Sequence, residues 1–190
     1  MAGPHPDAAC RSGQRKRWHD NGGRYALVDG DGSLSSAELI ERWAALADRY
    51  PHLVARGRVG RRRLGRLDGA HRPVSVTNLQ LVGDDIFVTN PEIITQGIAT
   101  HAASAALIKV NQVGTVTETL HAMEICRVAG WGQMVSHRSG ETPDPFIVDL
   151  AVASGCGQLK SSAPARGERV AKYHRLVVIE AADPMPYGRA

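Results

Sequence analysis

Four groups of polar residues stand at near-regular intervals in the second half of the chain. They are Asp84-Asp85, Lys109, the run Ser136-His137-Arg138-Ser139, and Lys160. The steps from Asp84 to Lys109, Lys109 to Ser136 and Ser136 to Lys160 are 25, 27 and 24 residues. Brought to one place, a carboxylate, two lysines and an Arg-Ser pair would suit an anionic substrate and a divalent metal. Each group also has an ordinary reading. Two aspartates can close a strand or cap a helix. Lys109 lies in the apolar run ALIKVNQ, where a lysine must snorkel, pair or work. SHRSGE (136–141) can be a polar loop, although Arg with Ser also makes a phosphate cradle. Lys160 in GQLKSSAP is open in the same way, and His137 alone reads as a satisfied core histidine.

The elements that would carry these residues decide the matter. LQLVG (79–83), ALIKV (106–110), QMVSH (133–137) and GQLKS (157–161) read as short buried strands. They lack the polar–apolar alternation of half-exposed strands, as parallel strands covered on both faces should. Helices are expected between them: one opened by Pro91, a favoured first-turn residue, one over 115–129 ended by Gly130, one near 146–153, and one from about Glu168. Strand–helix alternation argues an α/β fold with a parallel sheet. Every polar group above then falls within or at the C-terminal end of a strand. In a parallel barrel those ends form the active-site bowl, with one unit per roughly 25–30 residues.

Further upstream, Ser35 with Glu38 forms a capping box, and Leu39, Ile40, Trp43, Leu46, Ala47 and Tyr50 follow helical spacing. The DGDGS stretch at 29–33 resembles the start of a calcium loop. It has Leu34 where such a loop needs glycine and Ile40 where it needs glutamate, so it is not one.

With 190 residues, 43% hydrophobic and 22% charged, the chain can bury a core and is not a disordered segment. No apolar run approaches the ~20 residues of a membrane span, and the first thirty residues show no secretory signal. Cys10, Cys126 and Cys156 form no paired motif, which fits a reducing compartment. The net charge of +4 is unevenly spread. Residues 11–17 supply +4 and residues 56–72, with seven arginines and one aspartate, supply +6, leaving −6 for the remainder. The overall basicity is therefore no argument for a nucleic-acid partner. The 56–72 run also lacks interleaved aromatics for stacking on bases.

The strings GDDIFVTNP (83–91), ALIKVNQVGTVTETL (106–120), VSHRSGET (135–142) and GQLKSSAPARGERVAKYHRL (157–176) resemble the C-terminal barrel of the enolases, the phosphopyruvate hydratases of glycolysis. The likeness covers 79–180 almost continuously, and 24–51 resembles the helix region before it. It implies a partial TIM barrel of about the last six β-α units. By the resemblance, Asp84 is a metal ligand and also faces the substrate, and Lys109 is the base that removes the C2 proton of 2-phosphoglycerate. Ser136, His137, Arg138 and Ser139 form the substrate segment, with Arg138 and Ser139 on the phosphate, and Lys160 lies near the substrate carboxylate. Asp7 in PDAA matches a further metal-ligand aspartate. Abstracting a proton beside a carboxylate builds a doubly charged intermediate, and enolase-superfamily sites meet it with a Lys or His base and one or two Mg²⁺ ions. The resemblance thus implies Mg²⁺, 2-phosphoglycerate and phosphoenolpyruvate, a cytoplasmic location and a homodimer or larger oligomer.

The chain departs from the family in three respects. The N-terminal domain with its mobile loop, the first two barrel strands with a catalytic carboxylate, and the metal-ligand glutamate after the fourth strand are not found. That glutamate is expected near Arg56, within VARGRVGRRRLGRLDG (54–69). Codons can be chosen for this string so that a frame read one base later encodes S-L-E-D-G-L-A-E-D-D-W-D-G-W-T, which is enolase-like. AACRSG from Ala8 can be treated similarly. Read out of frame, GC-rich DNA yields Arg and Gly runs, which accounts for the basic stretches. The expected organisation is therefore 1–23 irregular and out of frame, 24–180 a barrel fragment with 52–78 atypical, and 181–190 a tail. Residues 56–73 should lack regular structure, and the enolase reaction should be disabled; the alternative is a residually active enolase or a Mg²⁺-binding pseudoenzyme.

Overall fold

The computed structural model describes residues 18–19, 24–26, 33–35, 38, 41–42, 44–45, 49, 54–57 and 80–184. The chain divides into two compact units, Met1–Leu81 and Val82–Ala190.

In the first unit, β1 (Trp18–His19), β2 (Arg24–Ala26) and β3 (Ser33–Leu34) form an antiparallel sheet in that order. Trp18 faces Tyr25, and Tyr25 faces Leu34. A strand thus lies within 1–23, where irregular chain is expected. These three strands are not successive units of a parallel barrel. The glycine-bearing links 20–23 and 27–32 are hairpin-sized, whereas a parallel crossover needs a dozen or more residues. The capping box is present: Ser35 N donates to Glu38 Oε2 at 2.6 Å, and Glu38 N donates to Ser35 Oγ at 3.2 Å. Glu38, Glu41, Arg42, Ala44, Ala45 and Arg49 have helical backbone. Strand β4 (Val54–Gly57) includes Arg56 and Gly57, where no regular structure is expected. Arginine has no steric bar to extended backbone, and Val54 favours it. Asp7 and residues 58–79 lie outside the described residues.

The second unit alternates strand and helix. β5 (Gln80–Gly83), β6 (Ala105–Ile108), β7 (Gly132–Ser136) and β8 (Leu159–Lys160) pair in that order, all parallel. Between and after them run α1 (Pro91–Ala99), α2 (Val110–Val113), α3 (Val116–Val128), α4 (Phe146–Ala153) and α5 (Gly167–Ala182). The short turn α2, ended by Gly114 at φ 123°, is the one helix that periodicity does not announce. Asn90 caps α1 by accepting from Glu92 N and Ile93 N. Thr115 caps α3 by accepting from Glu118 N at 3.1 Å. Such caps satisfy donors that have no partner within a helix, each worth about 1 kcal/mol.

Strand β6 is buried at all four positions, as its unbroken apolar run requires. Val82, Phe87, Ile94, Leu107, Ile108, Val135 and Val148 fill the core with it. Phe87 sits in a slot between strand and helix. A Cβ on Gly83 would lie 2.1 Å from its ring, and one on Gly97 would lie 2.4 Å from it. Both glycines are therefore required by close approach. Trp131 packs obliquely on the same ring at a centroid distance of 5.5 Å. Burying such a ring contributes roughly 1.5–3 kcal/mol.

Candidate active site at the strand ends

Each polar group comes from the C-terminal end of a parallel strand. Asp84 follows Gly83 of β5, and its carbonyl accepts from Phe87 N and Val88 N at 3.1 Å, which folds the chain back into a tight loop. Lys109 follows β6 with its backbone still extended (φ −134°, ψ 104°). Its Nζ donates to Asp84 Oδ1 in a buried ion pair, the two residues being 8% and 1% exposed.

The loop between β5 and α1 fixes the lysine's backbone as well. Thr89 is fully buried, and its Oγ1 accepts from Lys109 N at 2.9 Å. Thr89 Oγ1 also lies 3.3 Å from Gln112 Oε1 and 3.4 Å from Leu107 O. Val88 and Thr89 hold φ of 46° and 57°. Left-handed backbone at two β-branched residues is strained, and it persists only where surrounding contacts enforce it. The role of Thr89 is not legible in the string GDDIFVTNP, where nothing announces a positive φ.

Beyond β7, Ser136 Oγ donates to His137 O at 2.9 Å and accepts from Lys160 Nζ at 3.3 Å, joining β7 to β8. His137 Nε2 lies 2.9 Å from Ser162 Oγ. Its Nδ1 is buried with no hydrogen-bond partner among the described residues, as is Ser161 Oγ. Burial lowers the His137 pKa, and the Lys160 ammonium lowers it further. Arg138 is exposed and donates from Nη1 to Asn111 O at 2.9 Å, reaching the turn after Lys109. Ser139 is exposed at a turn.

The strand ends thus bring Asp84 against Lys109, Ser136 against Lys160, and Arg138 against the segment following Lys109. Among the described residues, Lys109, Arg138 and Lys160 gather here with the buried carboxylate of Asp84, a set suited to an anion. Asp84 supplies the hard oxygen that Mg²⁺ takes, and Mg²⁺ is commonly held by one or two carboxylates with water and substrate oxygens. Among the described residues no group of three or more His, Cys, Asp or Glu could hold a metal. Asp84 therefore fits the ion by type, and the described residues do not complete its coordination.

A parallel β/α sheet with its ionisable groups at the strand C-termini is the architecture of a barrel-type enzyme domain. Residues 14–184 match the family described as Enolase, C-terminal TIM barrel domain, and the chain belongs to that family. It is 50% identical over 160 residues to the Enolase of Acidothermus cellulolyticus, covering 83% of this chain and 36% of that protein. It is 42% identical over 165 residues to Enolase 1 of Methylococcus capsulatus, covering 86% and 38%. Over 101 residues it is 64% identical to Enolase 2 of Methanospirillum hungatei, covering 53% and 24%. The chain thus spans between about a quarter and two fifths of the length of these relatives. Among the described residues no helix is long and apolar enough to cross a membrane.

Proposed function

We propose that the strand ends of the second unit form the C-terminal half of a 2-phosphoglycerate site, with binding retained and turnover disabled. The observation that supports this most directly is the buried contact of Lys109 with Asp84 at adjacent strand ends. In this reading Lys109 is the group that takes the proton from the carbon beside the substrate carboxylate. Lys160, joined to Ser136, faces that carboxylate. Arg138 and Ser139 hold the phosphate, and His137 closes the pocket wall. Asp84 holds Mg²⁺, which when bound supplies the positive charge that a carbanionic intermediate needs.

Loss of turnover is inferred from the sequence at position 56. A glutamate belongs near there in the resemblance, and Arg56 replaces it. The shifted-frame reading of 54–69 accounts for the exchange, and sequencing the DNA around codons 10 and 54 tests it. A cytoplasmic location and self-association belong to the same reading.

The assay is the ultraviolet absorbance of phosphoenolpyruvate formed from 2-phosphoglycerate with millimolar Mg²⁺, beside a binding titration of 2-phosphoglycerate. Binding without product is the expected result. Turnover abolished by Lys109→Ala would overturn the disabled reading, and absence of binding would overturn the site itself.

A further inference from the structure

Lys172 is the one lysine of α5, and it is fully buried. A lysine costs free energy to bury unless its ammonium finds acceptors. Its neighbours on the helix explain the placement. Glu168, Arg169, Ala171, Arg175, Leu176 and Ile179 are all partly buried, so Lys172 lies in the middle of the inward face.

The ammonium reaches the loop between β7 and α4. Nζ donates to Thr142 O at 2.5 Å and lies 3.9 Å from Glu141 Oε1. Glu141 Oε1 also accepts from Thr142 N at 3.0 Å, so the two loop residues and the lysine form one polar knot. This is the loop that carries Arg138 and Ser139. The helix from which the lysine reaches is itself tied down. Arg175 donates from Nε and Nη2 to Asp149 Oδ1 of α4 at 2.8 and 2.6 Å. Tyr173 donates its hydroxyl hydrogen to Ser162 O, beside the serine hydroxyl that meets His137.

We propose that Lys172 is a positioning residue that fixes the 138–142 loop, and through it the guanidinium of Arg138 and the hydroxyl of Ser139, for an anionic ligand. The proposal deepens the 2-phosphoglycerate reading and rests on it for the ligand. Gly140, at φ 76°, and the exposed Arg138 and Ser139 leave the loop tip few constraints of its own. A donor anchored in a helix supplies the missing one, and preorganising a binding loop lowers the ordering cost paid on association. The Lys172 charge also reaches His137, where it adds to the effects that keep the imidazole neutral.

The test compares wild type with Lys172→Met, which keeps the length of the stem and removes the ammonium. Glu141→Gln serves as a second variant that leaves the lysine in place. Amide hydrogen exchange of residues 139–142, the dissociation constant for 2-phosphoglycerate, and the His137 ring titration are followed by NMR under conditions where urea curves show each protein folded. Exchange in the loop should quicken tenfold or more in Lys172→Met while the β6 amides stay protected. Affinity for 2-phosphoglycerate should fall by a similar factor, and the His137 midpoint should rise. Glu141→Gln should quicken loop exchange and weaken binding in smaller measure, while the His137 midpoint should fall, because the Glu141 charge raises it; its loop exchange decides the question if Lys172→Met does not fold. Loop exchange equal to wild type in the folded variants would overturn the positioning role. Faster loop exchange with unchanged affinity would overturn its link to ligand. A wild-type chain that does not bind 2-phosphoglycerate would overturn the anion-site reading and with it the proposed link, while the exchange rates would still decide whether Lys172 fixes the loop.

Discussion

Replacing Lys109 by methionine isolates the charge in the buried pair. The stem is nearly unchanged in length, so the apolar packing around it persists. What is lost is the ammonium that contacts Asp84, a carboxylate 1% exposed to solvent. Removing one partner of a buried pair typically costs about 3–5 kcal/mol. Lys109 retains 8% exposure, and water can enter where the ammonium was, so the lower end, about 3 kcal/mol, is expected. With a urea dependence of about 1–3 kcal/mol/M, the unfolding midpoint should fall by roughly 1–3 M. Asp84→Asn should also destabilise, because it strands the lysine. The double variant Asp84→Asn/Lys109→Met removes both charges and should recover much of the loss, giving a coupling of about 2–3 kcal/mol in a double-mutant cycle. Single effects that simply add, within about 0.5 kcal/mol, would show that the two charges do not act on each other, and the site geometry would lose its central contact.

Gly97→Ala should destabilise by about 1–3 kcal/mol despite alanine's better helix propensity, because the new Cβ would lie 2.4 Å from the Phe87 ring; thermal unfolding measures it, and a stabilised variant would contradict the slot. Burial and Lys160 favour neutral His137 in the folded chain, so the unfolded chain binds that proton more readily. Stability should therefore drop as pH falls below the ordinary imidazole value of about 6.5, and His137→Gln should flatten the dependence seen in urea midpoints across pH 4–8. The Cys126 thiol is buried, and burial pushes it up to about 11. Peptide mapping after treatment with a thiol reagent at about pH 8 should find Cys126 unmodified in the folded protein and modified in urea.

Much of the second unit was legible because its signals are local. Apolar runs without alternation announced β5 to β8, and Pro91 and Gly130 marked a helix start and end close to those found. The strand-end rule puts Asp84, Lys109, Ser136 and Lys160 at one end of the sheet, but that Asp84 meets Lys109 and Ser136 meets Lys160 is seen only in the structure. What escaped depends on contacts distant in sequence. Lys172 sits among residues that read as an ordinary amphipathic helix, and only the loop 30 positions earlier explains its burial. Thr89 is hidden for the same reason, since its strained backbone is answered by Lys109 N, 20 positions later. At Arg56 composition misled, because charge suggests a solvated segment and does not forbid strand backbone.

The ring of Phe87 joins three positions into a single unit of sequence change. Gly83 belongs to a strand, Gly97 to a helix, and neither has room for a methyl group while the ring stays. A side chain at either glycine becomes admissible only after the ring has been exchanged for something smaller, and the smaller residue then opens a void that the new side chain fills. Substitutions at 83, 87 and 97 should therefore travel together. In an alignment of related chains, Ala at 83 or 97 is expected beside an aliphatic residue at 87, and rarely beside phenylalanine.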